Sequence, residues 1–344
     1  MTTFWAVILV FGVLIFFHEL GHFAVAKAAG IRVYEFSLGF GPKLVGLDRG
    51  GTVYNLRLLP LGGFVRMAGM DPEDKEAEEG QRFGDKSIPM RMTVIAAGPL
   101  MNFVLAWLLF AIVFLSVGNV PVPVIQEVLP GTPAEQVGLR AGDEILSIEG
   151  EEVRGWQDIV SKIHGRAEQE TAIAVLRNGE QLTFSVVPEL LQDEQRGAIG
   201  IRPDTEAVTP LIALNYGFMT VVQMTSDILH FIGQMITGQE KPGLGGPVRI
   251  VYEIDRGVDM GLEYLLQLAA FLSINLGLFN LFPIPALDGS RLVFLGIEGL
   301  RGRPVEPARE NFIHLVGFGL LMLLIVFVTY NDLLQLLTNN IPSP

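Results

Sequence analysis

Phe16-Phe17-His18-Glu19-Leu20-Gly21-His22-Phe23 lies in an apolar run that starts at Phe4 and extends through Ala29. Such a run is long enough to cross a bilayer, which takes about 20 helical residues. On a helix His18 and His22 are four apart, so both imidazoles leave the same face. That spacing lets them share one Zn²⁺, with Glu19 between them as general base. Ionisable groups at membrane depth are costly and point to a functional site. Two unrelated histidines are the competing reading. Against it, the chain has 5 His and places two of them, with a Glu, in this one apolar helix. For the run itself the competitor is a cleavable signal peptide, and Ala24-Val25-Ala26 resembles a cleavage site. Met1-Thr2-Thr3 lacks the basic residue that a signal peptide carries ahead of its apolar segment.

Two His and a Glu do not complete a zinc site. A catalytic zinc takes three protein ligands and keeps one position open. A third His six residues on is absent, since position 28 is Ala. The chain has no Cys, which rules out disulfides and thiolate ligands. The missing ligand is His, Asp or Glu from elsewhere. The best candidate lies in Asn280-Leu281-Phe282-Pro283-Ile284-Pro285-Ala286-Leu287-Asp288-Gly289. Pro283 and Pro285 cannot both sit in regular helix, so the backbone breaks there. Broken backbone at membrane depth must be buried in protein or face a water-filled cavity. Asp288 sits at the break. It could equally be an N-cap for the helix that follows, and both roles are compatible.

The composition agrees with a membrane protein. Of 344 residues 50% are hydrophobic and 18% charged, below the roughly 25% charged of a soluble domain. Four runs are long enough to span: Phe4 to Phe17, extendable through Ala29, then Val94 to Val117, Tyr264 to about Leu281, and Phe312 to Tyr330. Basic residues follow the first span (Lys27, Arg32, Lys43), precede the second (Lys75, Arg82, Lys86, Arg91) and lie between the third and fourth (Arg291, Arg301, Arg303, Arg309). The other span ends are nearly bare. Positive charge stays inside, which puts loops 30–92 and 282–310 in the cytoplasm and both termini outside. His18 is then roughly 21 Å along its helix from Phe4, past the midplane and toward the side that carries Asp288. Residues 209–237 could be a fifth span. Gln223, Asp227, His230 and Gln234 interrupt them, and an amphipathic helix along the interface is favoured.

Residues 120–205 read as a soluble insert. Its acidic residues outnumber its basic ones about two to one, so much of the net charge of −13 sits there. No basic stripe is present, which argues against a nucleic-acid partner. Strand-like runs at Pro123–Val128, Glu144–Ile148, Ala172–Leu176 and Gln181–Val187 alternate with turns, and Asn178-Gly179 predicts a tight hairpin. Gly131-Thr132-Pro133-Ala134 through Gly138-Leu139-Arg140-Ala141-Gly142-Asp143 resembles a PDZ pattern. Such a domain captures peptides by strand addition, or it is a spacer or steric filter. Beside the motif helix, Val33–Leu38 and Tyr54–Leu58 also alternate, around a turn at Asp48-Arg49-Gly50-Gly51. This is either an ordinary cytoplasmic hairpin or a strand edge that offers hydrogen bonds to an unwound substrate helix. The acidic run Asp71-Pro72-Glu73-Asp74-Lys75-Glu76 reads as a disordered solvated loop. Gly98-Pro99 and Asn102 read as small-residue helix packing. Neither His164 in the insert nor His230 reads as a ligand, and His314 reads as polar lining.

These motifs together resemble the site-2 protease family of intramembrane zinc proteases, in its bacterial RseP-like and RasP-like branch. The likeness covers nearly the whole chain. It includes Gly39-Phe40-Gly41-Pro42, Pro60-Leu61-Gly62-Gly63-Phe64-Val65, Ala97-Gly98-Pro99-Leu100-Met101-Asn102-Phe103 and Leu244-Gly245-Gly246-Pro247. The resemblance implies zinc on His18, His22 and Asp288, Glu19 as base, and Asn280 holding the substrate backbone. Pro283 and Pro285 would shape that substrate contact. There is room for one PDZ-like domain, not two. The family's Gly-Gly-His after the Asp is here Gly289-Ser290-Arg291.

The expected fold is a four-span α-helical membrane protein with a membrane-associated β region on the cytoplasmic side and an inserted PDZ-like α+β domain. Its parts are a first transmembrane helix at 1–30, a membrane-re-entrant β region at 31–68, a cytoplasmic loop at 69–92 and a second span at 93–118. The PDZ-like domain at 120–205 and the interfacial helix region at 207–240 follow. A third span at 262–282, a cytoplasmic-side loop with the third ligand at 283–310 and a fourth span at 311–331 complete it. The expected activity is zinc-dependent endoproteolysis of single-span membrane proteins in a bacterial inner membrane. By resemblance the substrates are membrane-anchored anti-sigma factors or remnant signal peptides, after a first cut by a site-1-type protease, and the lipid bilayer is the other partner. The rival readings are a non-catalytic PDZ-bearing scaffold and a metal transporter.

Overall fold

The structure is a computed structural model that describes residues 2–70, 77–191, 196–239 and 245–338. The acidic run at 71–76 and Leu244 lie outside the described residues. The chain forms two compact units, one of residues 1–113 with 213–344 and one of residues 114–212.

In the first unit, α1 (Thr2–Ala28) carries the His-Glu-x-x-His motif and α2 (Ile88–Val117) runs beside it. A Cβ on Gly21 would lie 2.2 Å from the Ala97 carbonyl oxygen, so α1 and α2 touch backbone to backbone. Small residues permit that approach, and apolar helices gain van der Waals contact from it. Beta strands β1 (Val33–Arg49) and β2 (Thr52–Met67) connect the two helices. Both run well past the expected strands. Gly50 and Gly51, at φ of 61° and 73°, make the tight turn between them. Glu35 to Leu38 pair with Val53 to Leu56 on one edge and with Gly63 to Arg66 on the other. The early part of β1 is therefore an inner strand. Its root packs into the bundle through Ile31, Val33, Met67, Ala26 and Val94. Its far end leaves Phe40, Leu44, Val45, Leu47, Leu58 and Leu59 exposed.

The second unit, residues 114–212, has its own core. Its strands are β3 (Asn119–Val128), β4 (Glu144–Ile148), β5 (Glu151–Glu152), β6 (Thr171–Arg177), β7 (Glu180–Val186), β8 (Glu189–Leu191), β9 (Arg196–Ala198) and β10 (Ile201–Ala207). The main sheet runs β10-β3-β4-β6-β7, with β5 on β4, and β8 pairs with β9 apart from it. Helices α3 (Pro133–Val137) and α4 (Trp156–His164) cover it. The strands bury Ile125, Ile145, Ile148, Ile173 and Val175 against Ile159 and Ile163 of α4, with a register shift after Ile145 turning Ile148 to the same side. Asn178 and Gly179, both at positive φ, close the β6–β7 hairpin as their sequence requires.

One buried ion pair ties that sheet together. Arg177 donates through Nε and Nη2 to the Asp143 carboxylate at 2.6 and 2.7 Å, and the Arg140 amide donates to it at 2.8 Å. Burial raises the Asp143 pKa, but the Arg177 and Arg140 bonds outweigh it and hold the carboxyl below its usual range. A depressed folded-state pKa stabilises above the unfolded value of about 3.9. That stabilisation is expected to fade as pH falls from there through the lower folded value. Asp143→Asn should cost about 3 kcal/mol, as removing one partner of a buried pair does. Amide exchange across Thr171–Val186 should then speed up on the order of a hundredfold at neutral pH. An unchanged exchange rate would show that the pair adds no stability.

The remaining helices complete the first unit: α5 (Pro210–Ile236), α6 (Pro247–Met260), α7 (Leu262–Leu281), α8 (Asp288–Arg301) and α9 (Pro307–Leu337). Among the described residues four helices are long and apolar enough to cross a membrane: Thr2–Ala28, Ile88–Val117, Leu262–Leu281 and Ala308–Gln335. The chain is a multi-pass membrane protein. Helix α5 is not among the four. It lies on α2 through Gly217, where a Cβ would sit 2.9 Å from the Trp107 oxygen, and the Trp107 indole donates to Leu214 at 2.7 Å. Asp332 of α9 is buried and accepts the Gly246 and Arg249 amides at 3.1 Å each, capping the start of α6.

The stretch 283–310, read from sequence as a loop, is corrected by the structure. Residues 288–301 form α8. Within it Leu292 and Leu295, and Phe294 and Ile297, lie three apart, a short helical spacing that the two prolines and the adjacent arginines obscured.

Candidate metal centre

The site forms where α1, α2 and the start of α8 meet. His18 Nε2 and His22 Nε2 each lie 3.2 Å from Asp288 Oδ2, and 3.3 Å from each other. Among the described residues these three form the one cluster able to hold a metal ion. The triangle is nearly equilateral. A tetrahedral zinc with bonds of about 2.0–2.2 Å has ligand-to-ligand edges of roughly 3.3–3.6 Å. The donor set therefore fits zinc in spacing as well as in chemistry. Asp288 Oδ2 is also buried with no hydrogen-bond donor aligned on it, as suits an atom whose partner is a cation.

Each of the three side chains is held by its surroundings. His22 Nδ1 lies 2.9 Å from the Val94 carbonyl of α2. A carbonyl only accepts, so Nδ1 carries the proton and Nε2 keeps a lone pair for metal. Gly98, one turn along α2, makes the space for that ring. A Cβ there would lie 2.2 Å from His22 Nε2. Asn102, a further turn along, is fully buried, and its carboxamide nitrogen lies 3.3 Å from His18 Nδ1. Residues 94, 98 and 102 thus make one face of α2 into the back wall of the site.

Asp288 enters on the first turn of α8. A Cβ on Gly289 would lie 2.1 Å from the Phe282 oxygen, so glycine lets α8 start directly against the end of α7. From α9, His314 Nδ1 accepts the Ala286 amide at 3.0 Å, and Gly317 closes onto Pro285. Ala286 has φ 76°, a left-handed conformation that costs a non-glycine residue about 1 kcal/mol or more. The Arg91 guanidinium binds Glu298 through two bonds of 3.0 and 2.5 Å, tying α2 to α8. His314, read as polar lining, is therefore a brace on the turn before Asp288.

Glu19 lies between the two His and interacts electrostatically with His18, His22 and Asp288. The β2 strand reaches it at Gly63, where a Cβ would be 2.9 Å from Glu19 Cγ and 3.0 Å from the Ser37 oxygen. Asn280 is on the last turn of α7, where its amide donates to the Leu276 carbonyl of its own helix at 2.9 Å. Pro283 and Pro285 lie in the break between α7 and α8. The structure thus brings together His18, His22, Asp288 and Glu19, and leaves Asn280 bonded within α7. Sequence reasoning missed the Val94 carbonyl, Gly63 and the facing of Asn102. An asparagine in an otherwise apolar helix was the one available signal.

Three comparisons bear on this arrangement. The family model described as Peptidase family M50 matches residues 6–324. The regulator of sigma-W protease RasP of Bacillus subtilis is 37% identical over 96% of this chain and 98% of its own length. The zinc metalloprotease RasP of Geobacillus kaustophilus is 36% identical over 95% and 96%. A putative zinc metalloprotease of Clostridium acetobutylicum is 35% identical over 94% and 95%. Among solved structures, the PDZ domain of the SdrC-like protein (Lmo2051) of Listeria monocytogenes overlays 23% of this chain and 84% of that one, at 22% identity and a TM-score of 0.22.

Proposed function

The chain belongs to peptidase family M50 and is an intramembrane zinc metalloprotease, and we propose that it works through His18, His22 and Asp288 as zinc ligands and Glu19 as base. The near-equilateral triangle of ligand atoms carries this reading. Zinc, when bound, lowers the pKa of water toward 7 and polarises the scissile carbonyl. Glu19 accepts the proton of the attacking water and delivers it to the leaving amide nitrogen. His22 keeps its tautomer through the Val94 carbonyl. The buried face of α2 closes one side of the site.

The substrates we assign are single-span membrane proteins. The name of the Bacillus subtilis relative ties that protein to sigma-W regulation. For this chain we extend it to membrane-anchored anti-sigma factors, with remnant signal peptides as a second substrate class and a site-1-type protease making the first cut. A transmembrane helix satisfies its own amides, so its scissile bond must be unwound. The β1–β2 sheet, with Gly63 against Glu19, offers a strand edge for that purpose. Its exposed apolar tip suits a membrane-re-entrant position on the cytoplasmic side. Asn280, Pro283 and Pro285 would line the substrate path. The basic residues flanking the spans support termini and the 120–205 domain outside, and the active site toward the cytoplasm of a bacterial inner membrane. The 120–205 domain is PDZ-like in its sequence motif, and acts either as a peptide-binding module or as a steric filter.

Purified chain in lipid vesicles is expected to cut a single-span substrate within its apolar segment. A chelator should abolish the cut and added Zn²⁺ should restore it. Cleavage that survives removal of all bound zinc would overturn the assignment.

A further inference from the structure

We propose that Asn102 is the residue that orients His18 for zinc, through its carboxamide oxygen. The inference rests on the reading of His18 as a ligand. Zinc on His18 Nε2 forces the ring proton onto Nδ1, and that N–H needs an acceptor. Nδ1 of His18 faces Asn102 at 3.3 Å. With the amide nitrogen turned to Nδ1, the pairing suits a ring protonated on Nε2, the tautomer that cannot bind metal there. In that orientation Asn102 Oδ1 is buried and has no donor. Leaving such an acceptor buried and unpaired is unfavourable. A half-turn of the carboxamide presents Oδ1 to Nδ1–H instead. It gives the orphaned oxygen its donor and selects the metal-binding tautomer. Both ligand imidazoles are then fixed from α2: His22 by the Val94 carbonyl, His18 by Asn102. The two partners are eight residues apart, matching two turns of one face.

Packing is the plain alternative, since Asn102 also lies under α7. There the Ser273 hydroxyl donates to the Asn102 backbone carbonyl at 2.8 Å. The two roles separate by substitution. Asn102→Leu keeps the branching and the number of heavy atoms and removes the acceptor. Asn102→Asp keeps the acceptor and removes the amide donor. Ser273→Ala disturbs the same helix contact and leaves the acceptor in place.

The test is competition for zinc between the purified full chain and a chelator, read as bound zinc per chain. Losing an outer partner of a metal ligand lowers affinity 10–100-fold. Asn102→Leu should show that loss. Asn102→Asp and Ser273→Ala should stay within about threefold of the parent chain, well inside that range. With Co²⁺ in place of zinc, the Leu variant should also show an altered visible spectrum, because His18 is no longer held. Full zinc affinity in the Leu variant would overturn the proposal. So would equal loss in the Leu and Asp variants, or a Ser273→Ala loss as large as that of Leu. His18→Ala is the separate control. If it leaves zinc binding intact, the ligand reading itself has failed. If it removes zinc while Asn102→Leu does not, only the role of Asn102 has failed.

Discussion

Glu19→Gln is expected to lower cleavage of a single-span substrate by roughly 10²- to 10⁴-fold, the range a positioned acid–base group contributes, with zinc still bound. The amide has the shape of the carboxylate but cannot take a proton. Glu19 is not one of the three atoms in the ligand triangle, so its loss leaves the metal in place. The side chain has little freedom to be replaced by a neighbour. It is set between His18 and His22 on α1, and β2 closes over it at Gly63. The result also separates the rival readings. A non-catalytic scaffold has no cleavage to lose. A transporter built on His18, His22 and Asp288 would move metal as well after the substitution as before it. The measurement is a vesicle cleavage assay beside a zinc count on the same preparation. Cleavage at the parent rate, or zinc lost together with activity, would remove Glu19 from the role of base.

The legible and illegible parts of this chain divide on physical grounds. Local patterns were readable. The apolar runs, the four-residue spacing of His18 and His22 and the Asn178-Gly179 turn each depend on neighbours in sequence. Asp288 was nominated from sequence because two prolines broke a span at the right depth, although nothing local shows it meeting an imidazole more than 260 residues away. What stayed hidden depends on which face of a helix meets which. Gly98 and Asn102 look like any small or polar residue that eases helix packing. Only the crossing of α1 and α2 turns one toward His22 Nε2 and the other toward His18 Nδ1. The length of β1 and β2 was hidden for a different reason. Apolar side chains on the outer hairpin do not alternate inside and outside, because both faces are free of protein cover there. A period of two marks a strand with one wet and one dry face, and that condition does not hold. Helix α8 escaped because proline and arginine near its ends masked a short apolar stripe.

Asp288→Ala should weaken zinc by more than about 100-fold, beyond the 10–100-fold range for a residue one step removed from the metal. Two imidazoles remain, which is short of the three ligands that a catalytic zinc requires. Among the described residues no other His, Asp or Glu atom joins the cluster. The third corner of the triangle is filled by Oδ2 alone, 3.2 Å from both Nε2 atoms. Loss of fold is a weak alternative. Asp288 is at the first turn of α8, where a carboxylate favours the helix by about 0.3–1 kcal/mol. The helix is separately anchored by Arg91 to Glu298 and by Gly289 against α7. Helix content by circular dichroism should therefore stay at the parent level while bound zinc falls. Asp288→Asn should recover little, because a neutral amide oxygen replaces the anionic ligand. Asp288→Glu keeps the charge but is one methylene longer, which overshoots a triangle whose edges are 3.2 and 3.3 Å. It should bind zinc less tightly than the parent and more tightly than the Ala variant. A full equivalent of chelator-resistant zinc in Asp288→Ala would strike Asp288 from the ligand set and reopen the search for the third donor.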